Sequence, residues 1–238
     1  MHNKSLENTF KLLGLLVQNS ECTIEQLARA MQKDYTTSLR LLKRLEKARL
    51  VKLSRLEKTS SKGKEKRYYR ITLYGLEVYL SYASAKNILP EVVRQAAQAH
   101  SDMLLSFKKW DKIAALGCEK LCLRNLELAL KVILFSRYEF IPRLSSKITL
   151  PEEEDNQRRV LDCAILGITN CTVPIDFFKE GLSKEGLWED MLKLLHLIEK
   201  DYELRQLRDW YFFTRETDAK DTLRSIEEWR EFFMQLPK

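Results

Sequence analysis

Residues 34–70 join a cationic helix pattern to a cationic hairpin pattern, and that pairing narrows the fold more than any other part of the chain. The stretch reads DYTTSLRLLKRLEKARLVKLSRLEKTSSKGKEKRYYR. Asp34 is a good N-cap, because its carboxylate can accept a free backbone N–H at a helix start. A helix over 34–47 then sets Leu39, Leu42 and Leu45 on one face. Tyr35, Thr36, Thr37, Arg40, Lys43, Arg44 and Lys47 fall on or beside the opposite face, where Glu46 is the one acid after the cap. A helix face that meets only solvent usually mixes signs, and this one does not. Strand patterns follow over 51–56 and 67–73, with the polar, lysine-rich segment 57–66 between them.

Upstream, residues 5–17 repeat Leu6, Phe10, Leu13, Leu16 and Val17 at helical spacing, and Asn19-Ser20 ends the pattern. Thr23-Ile24-Glu25-Gln26 has the form of a capping box, in which hydroxyl and amide satisfy each other's backbone donors. It predicts a second helix over 24–31 with Ile24, Leu27, Ala28 and Met31 inward. Gln32-Lys33 then makes a short turn into the third helix. Helix, tight turn and cationic helix form a helix-turn-helix, and the basic hairpin adds a wing.

The strings LLKRLEKARLVKLSRLE and YYRITLYGLEVY resemble the core of winged-helix transcription regulators of the MarR, ArsR and PadR kind. Leu42, Leu45, Glu46, Leu50 and Val51 match the end of the recognition helix there. Tyr69, Ile71, Thr72 and Gly75 match the end of the second wing strand. Arg49 stands where those families usually have glycine, which puts the form of the turn after the third helix in question. The resemblance covers residues 5–82. It implies a duplex-DNA-binding regulator whose third helix enters the major groove.

The wing chemistry agrees. Between Lys52 and Arg70 there are eight cations and two acids, a net of +6. Ser60, Ser61 and Gly63 let the tip bend, and a bendable cationic tip can follow a phosphate backbone or enter a minor groove. Tyr35, Thr36, Thr37, Arg40 and Arg44 are the candidates for contacts at base edges. Lys43, Lys47, Arg55, Lys58, Lys62, Lys64, Lys66 and Arg67 are the candidates for phosphates. A solvated loop with lysines guarding an edge strand is the alternative, and so many charges of one sign exceed what that needs.

Residues 1–82 hold 17 lysines and arginines against 8 acids, a net of +9, while residues 83–238 hold 24 against 26, a net of −2. The excess that makes the whole chain +7 is therefore confined to the first third, a basic head on a near-neutral body. Thr72 is placed to cap a helix over 73–87, and Ile88-Leu89-Pro90 marks a change of element. The expected organisation is a mainly α protein. A winged helix-turn-helix domain of three helices and a hairpin wing spans 1–88, and an all-α C-terminal domain spans 89–238.

Only 7 glycines and 5 prolines interrupt that C-terminal part and the head together. Helices are predicted over 91–100, 101–116, 119–136, 154–166, 184–200, 202–215 and 218–236, with loops over 141–153 and 169–184. Residues 121–135 read as a central buried helix. Leu187, Met191, Leu194, Leu195 and Ile198 form a stripe for a core or a second subunit. Trp210, Tyr211, Phe212, Phe213, Trp229, Phe232 and Phe233 suggest core or dimer interface, with a ligand cage as the lesser reading.

Cys22, Cys118, Cys122, Cys163 and Cys171 are odd in number and irregular in spacing, so they read as buried free thiols rather than a disulfide framework. Cys118 and Cys122 share a helical face but find no histidine to complete a metal site. No phosphate-binding glycine loop, HExxH, GxSxG or EF-hand loop occurs, so an enzyme, a metal centre and a bound cofactor are not expected. No apolar run reaches membrane-spanning length and no signal pattern opens the chain, which points to a cytoplasmic protein. The expected partners are double-stranded DNA, a second copy of the chain, and a small-molecule or protein effector at the C-terminal domain. A winged helix that binds another protein or RNA, or a replication or partition factor, is the competing reading.

Overall fold

The computed structural model describes residues 2–58, 65–144, 151–215 and 220–236, with side chains over 6–58, 65–131, 154–215 and 220–236. The chain forms two compact units, Met1–Ser101 and Asp102–Lys238.

The first unit runs α1 (His2–Gln18), β1 (Cys22–Thr23), α2 (Ile24–Met31), α3 (Tyr35–Lys47), β2 (Val51–Lys58), β3 (Glu65–Ile71), α4 (Leu73–Ala85) and α5 (Leu89–Ala99). Its three strands are antiparallel in the order β1-β3-β2, so β2 is an edge. This is the winged-helix arrangement: three helices, a hairpin wing, and the short strand β1 completing the sheet. The capping box forms as expected: Thr23 N–H donates to Gln26 Oε1 at 2.8 Å and Gln26 N–H to Thr23 Oγ1 at 3.3 Å. Ile24, Leu27, Ala28 and Met31 are the buried residues of α2, as their spacing predicted. In α1, Leu12, Leu13, Leu16 and Val17 are fully buried, whereas Leu6, expected inward, is exposed near the helix start. In α3, Leu42 and Leu45 are buried together with Ser38, while Leu39 is only half-buried.

The turn after α3 ends the helix with two backbone bonds of a Schellman motif. Arg49 N–H donates to Glu46 O at 2.9 Å and Leu50 N–H to Leu45 O at 2.9 Å. Arg49 has φ 58°, so it adopts the left-handed backbone that glycine would supply. A side chain there costs about 1–2 kcal/mol. Thr72 then clamps this turn. Its N–H donates to Leu50 O at 3.1 Å and its hydroxyl to Arg49 O at 2.7 Å, and the same hydroxyl accepts from Gly75 N–H at 3.0 Å to cap α4. A Cβ on Gly75 would lie 2.0 Å from Leu50 O, so only glycine lets α4 come this close.

The unit continues past residue 88. Val92, Val93, Ala96 and Ala97 are buried where α5 packs on α1 and α4, and His100 Nε2 sits 2.8 Å from Leu16 O. The division therefore falls after Ser101 rather than at the 88/89 boundary read from the sequence. Pro90 begins α5 instead of ending a domain, because the first turn of a helix tolerates a residue without an N–H.

The second unit is all helical: α6 (Leu105–Lys108), α7 (Trp110–Ala115), α8 (Glu119–Leu144), α9 (Pro151–Ile165), a 3-10 turn (Ile168–Thr172), α10 (Ile175–Lys184), α11 (Trp188–Lys200), α12 (Tyr202–Thr214) and α13 (Lys220–Gln235). Both predicted loops contain helix. Residues 169–184 hold the 3-10 turn and α10, and α8 runs through Pro142 while α9 starts at Pro151. Pro151 and Pro174 mark helix starts for the same reason as Pro90. The predicted single helix over 101–116 is two short ones, α6 and α7. Asp162 fixes the start of α6. From α9 its carboxylate accepts from Leu105 N–H at 2.9 Å and Ser106 N–H at 2.7 Å, capping α6 across the unit. Burial pushes the Asp162 carboxyl up to about 6 against those hydrogen bonds.

Leu187, Met191, Leu194, Leu195 and Ile198 are all buried within this unit. Of the aromatic cluster, Tyr211, Phe212, Trp229 and Phe233 are core, and Trp229 Nε1 donates to Val173 O at 2.8 Å. Phe213 is 68% exposed. The helix α8 buries Leu121, Cys122, Leu126 and Leu130 along one face and exposes Leu128, so up to residue 131 it is not apolar all round.

Two substitutions test this framework. Gly75→Ala forces backbone against backbone, and the first unit should lose about 1–3 kcal/mol or more in urea unfolding. In the second unit, Asp201 caps α12 and accepts from Lys109 Nζ and Lys112 Nζ, each at 2.9 Å. Burial would raise its pKa, but the two ammonium groups outweigh burial and hold it at about 2. A depressed carboxyl stabilises the fold above its unfolded pKa and loses that contribution as pH falls through the folded one. The melting temperature should therefore drop as pH goes from about 4 towards 2, and Asp201→Asn should flatten that dependence.

Candidate nucleic-acid interface

The α3 face is built by the cap beneath it. Thr37 N–H donates to Asp34 Oδ1 at 2.8 Å, and that hydrogen bond holds the Asp34 carboxyl below its usual range. Tyr35, Thr36, Thr37, Arg40, Lys43, Arg44 and Lys47 are all exposed on one helix. Two of them are engaged within the unit: Arg44 Nη2 donates to Thr9 Oγ1 of α1 at 3.1 Å, and the Thr37 side chain bonds the Asp34 carboxylate. An open groove of about 460 Å³ lies beside this face, where Lys33, Thr37, Arg40 and Arg44 meet Asn8 of α1. The α3 candidates are thus gathered on one surface.

The wing candidates divide. Lys58, Lys66 and Arg67 are exposed on β2 and β3. Lys62 and Lys64 lie outside the described residues. Arg55 is engaged internally: its Nε is 2.7 Å from Glu21 Oε2, its Nη1 is 3.6 Å from Glu57 Oε2, and its guanidinium lies 3.7 Å over the Tyr68 ring. Ser54, the bulged residue between the pairs Leu53↔Tyr69 and Arg55↔Tyr68, donates its hydroxyl to the other Glu21 oxygen. Tyr68 OH donates to Glu57 Oε2 at 2.6 Å. The Ser54 hydroxyl, then Arg55, hold the Glu21 carboxyl below its usual range. Arg55 therefore braces the wing through Glu21, which precedes β1.

Glu21 and Tyr68 had no part in the sequence reading. The partner of Glu21 lies 34 residues away along the chain, and no local pattern announces a pair at that separation. Three more features emerge only in the sheet. Lys52 stands directly opposite Arg70. Leu53 and Leu56 are 40% and 51% exposed on the edge strand.

Compared with known proteins, the chain is similar over residues 2–98 to the family described as TFIIE alpha subunit. The first unit is accordingly a winged-helix domain of transcription-factor type, and the likeness is not specifically to the MarR, ArsR and PadR kind. No curated protein and no solved structure matches the chain.

The bracing role of Glu21 has a direct readout. Glu21→Ala should speed hydrogen exchange of the β2 and β3 amides around Ser54, Arg55 and Tyr68, with the α2 amides unchanged.

Proposed function

We propose that this protein is a DNA-binding transcription regulator that reads duplex DNA with α3 in the major groove and sets its wing on the backbone. The supporting observation is the α3 face, which presents four cations, two threonines and a tyrosine to solvent with the helix packed through its opposite side. Arg40, exposed on this face, is the residue for a guanine edge, and Thr36, Thr37 and Tyr35 lie around the same helix start. Lys43, Lys47, Lys58, Lys66 and Arg67 are the phosphate contacts under this reading, joined by Lys62 and Lys64. Arg44 approaches the DNA from its hydrogen bond with Thr9, and Arg55 acts by holding the wing. The protein is then a binding protein rather than an enzyme, and works inside the cell with the genome. The second unit serves dimerisation, effector sensing or attachment of another protein.

One observation favours a second reading. Leu53 and Leu56 are exposed on the unpaired edge of β2, where DNA has no use for them, and a protein partner could cover them. A winged helix used only for docking would not need the cations of α3.

Fluorescence anisotropy with labelled duplex DNA tests the proposal. Binding should weaken linearly in log–log salt plots, and each of Lys58→Ala, Lys66→Ala and Arg67→Ala should lower the slope by about one. Arg40→Ala should relax discrimination at one base pair by about 1–3 kcal/mol. An unchanged slope in the triple wing variant would show that these cations do not meet phosphates. Absence of binding to any duplex at low salt would reject the proposal.

A further inference from the structure

The groove beside α3 differs in charge from an ordinary surface crease. Lys33, Arg40 and Arg44 line it together with Asn8 and Thr37, and no acid does so among the described residues. Met31 and Leu41 are its apolar lining. A small molecule is usually held in a cleft that covers most of its surface, whereas this groove is open to solvent. An open, acid-free groove suits a run of backbone phosphates passing through it better than an enclosed ligand.

The polar groups come from three places, and the fold fixes each of them. Lys33 follows the left-handed Gln32 (φ 54°), and its N–H donates to Ala28 O at 3.0 Å while Gln32 N–H donates to Arg29 O at 3.1 Å. That turn leaves the Lys33 side chain exposed. The neighbouring acid, Asp34, has its carboxylate on the N–H and side chain of Thr37. Arg44 is held towards α1 by its hydrogen bond to Thr9, the residue after Asn8. The wing leaves from the far end of α3, a helix of 13 residues and so about 20 Å long.

We propose that Lys33 and Asn8, with Arg44, form a phosphate seat for a second stretch of DNA backbone at the start of α3. The proposal rests on the duplex-DNA reading above and adds two residues to it. The major groove is bounded by two backbone strands. The wing meets one stretch of phosphates, and the groove between α1 and α3 takes another. The Lys33 ammonium supplies a point charge, the Asn8 amide a neutral donor and the Arg44 guanidinium a planar set of N–H donors. Backbone contacts at both ends of α3 fix its direction as well as its depth, which keeps Arg40 at the base edges.

The experiment compares the full-length chain with Lys33→Ala, with Asn8→Ala, and with Lys200→Ala as an equal charge change on an exposed residue of the second unit. Lys33→Ala should melt with the wild type, because its exposed side chain is cut back while its N–H still closes the turn. Its affinity for labelled duplex DNA should fall about fivefold or more, and its salt slope should fall by about one. Asn8→Ala should bind about twofold more weakly with the slope unchanged, because a neutral donor releases no counterion. Lys200→Ala should leave affinity and slope close to those of the wild type. Lys33→Ala losing no more than Lys200→Ala, or Asn8→Ala binding like the wild type, would overturn the seat and leave the DNA reading to stand on the wing variants. Tripolyphosphate at constant ionic strength is the second probe. If it binds the wild type but not Lys33→Ala while the DNA slopes of the two agree, the groove takes a free anion and the backbone seat is overturned. A wild-type chain that binds no duplex at low salt would overturn both the seat and the DNA reading.

Discussion

The contact of Gly75 with the carbonyl of Leu50 is the constraint on which the first unit depends. It brings four elements to one point: the end of α3, the start of β2, the end of β3 and the start of α4. Thr72 completes the junction with three hydrogen bonds, two of them to carbonyls of the turn after α3. Neither the direction of α3 nor the root of the wing can change without breaking that junction. The surface proposed to meet DNA is therefore positioned by backbone polar groups and one missing side chain, more than by the apolar core under it.

The positive charge of the first unit serves two purposes. On α3 the cations face solvent, and the buried side of the helix is left to Ser38, Leu42 and Leu45. On the hairpin, Arg55 is drawn inward by Glu21, Glu57 and the ring of Tyr68. An exposed ion pair is worth little in isolation. Here the bulge, two acids, a serine and an aromatic ring combine in one network, which stiffens a two-stranded ribbon that would otherwise be marginal. A stiff base with cations further out suits the proposed seat of the wing on a phosphate backbone.

The second unit is held by polar links between helices as well as by its core. Asp162 and Asp201 each cap a helix, and each is set by a contrast between burial and hydrogen bonding that leaves one carboxyl high and the other low. All five cysteines are buried and free, and burial pushes the Cys118 thiol up to about 11. Among the described residues no group of histidines, cysteines and acids is placed to hold a metal, and no helix is long and apolar enough to cross a membrane.

Sequence alone determined what depends on neighbours along the chain. The Thr23–Gln26 capping box, the Asp34 and Thr72 caps, the inward set of α2 and the exposed cations of α3 follow from spacing of three and four residues. They were legible because a helix imposes that period wherever it packs. The hairpin was legible as two strand-like runs on either side of a polar, lysine-rich segment. Tertiary structure decided the rest. It gave α5 to the first unit, because a helix joins whichever core has space for its apolar face. It turned Pro151 and Pro174, one from each expected loop, into helix starts, because a missing N–H costs nothing in a first turn. It tied Arg55 to Glu21, Glu57 and the Tyr68 ring, a set of contacts whose partner Glu21 lies far along the chain. It also placed Arg49 in a left-handed turn that only the clamp from Thr72 and Gly75 makes visible. Local periods are written in the sequence, whereas long-range pairs exist only once the chain has closed around them.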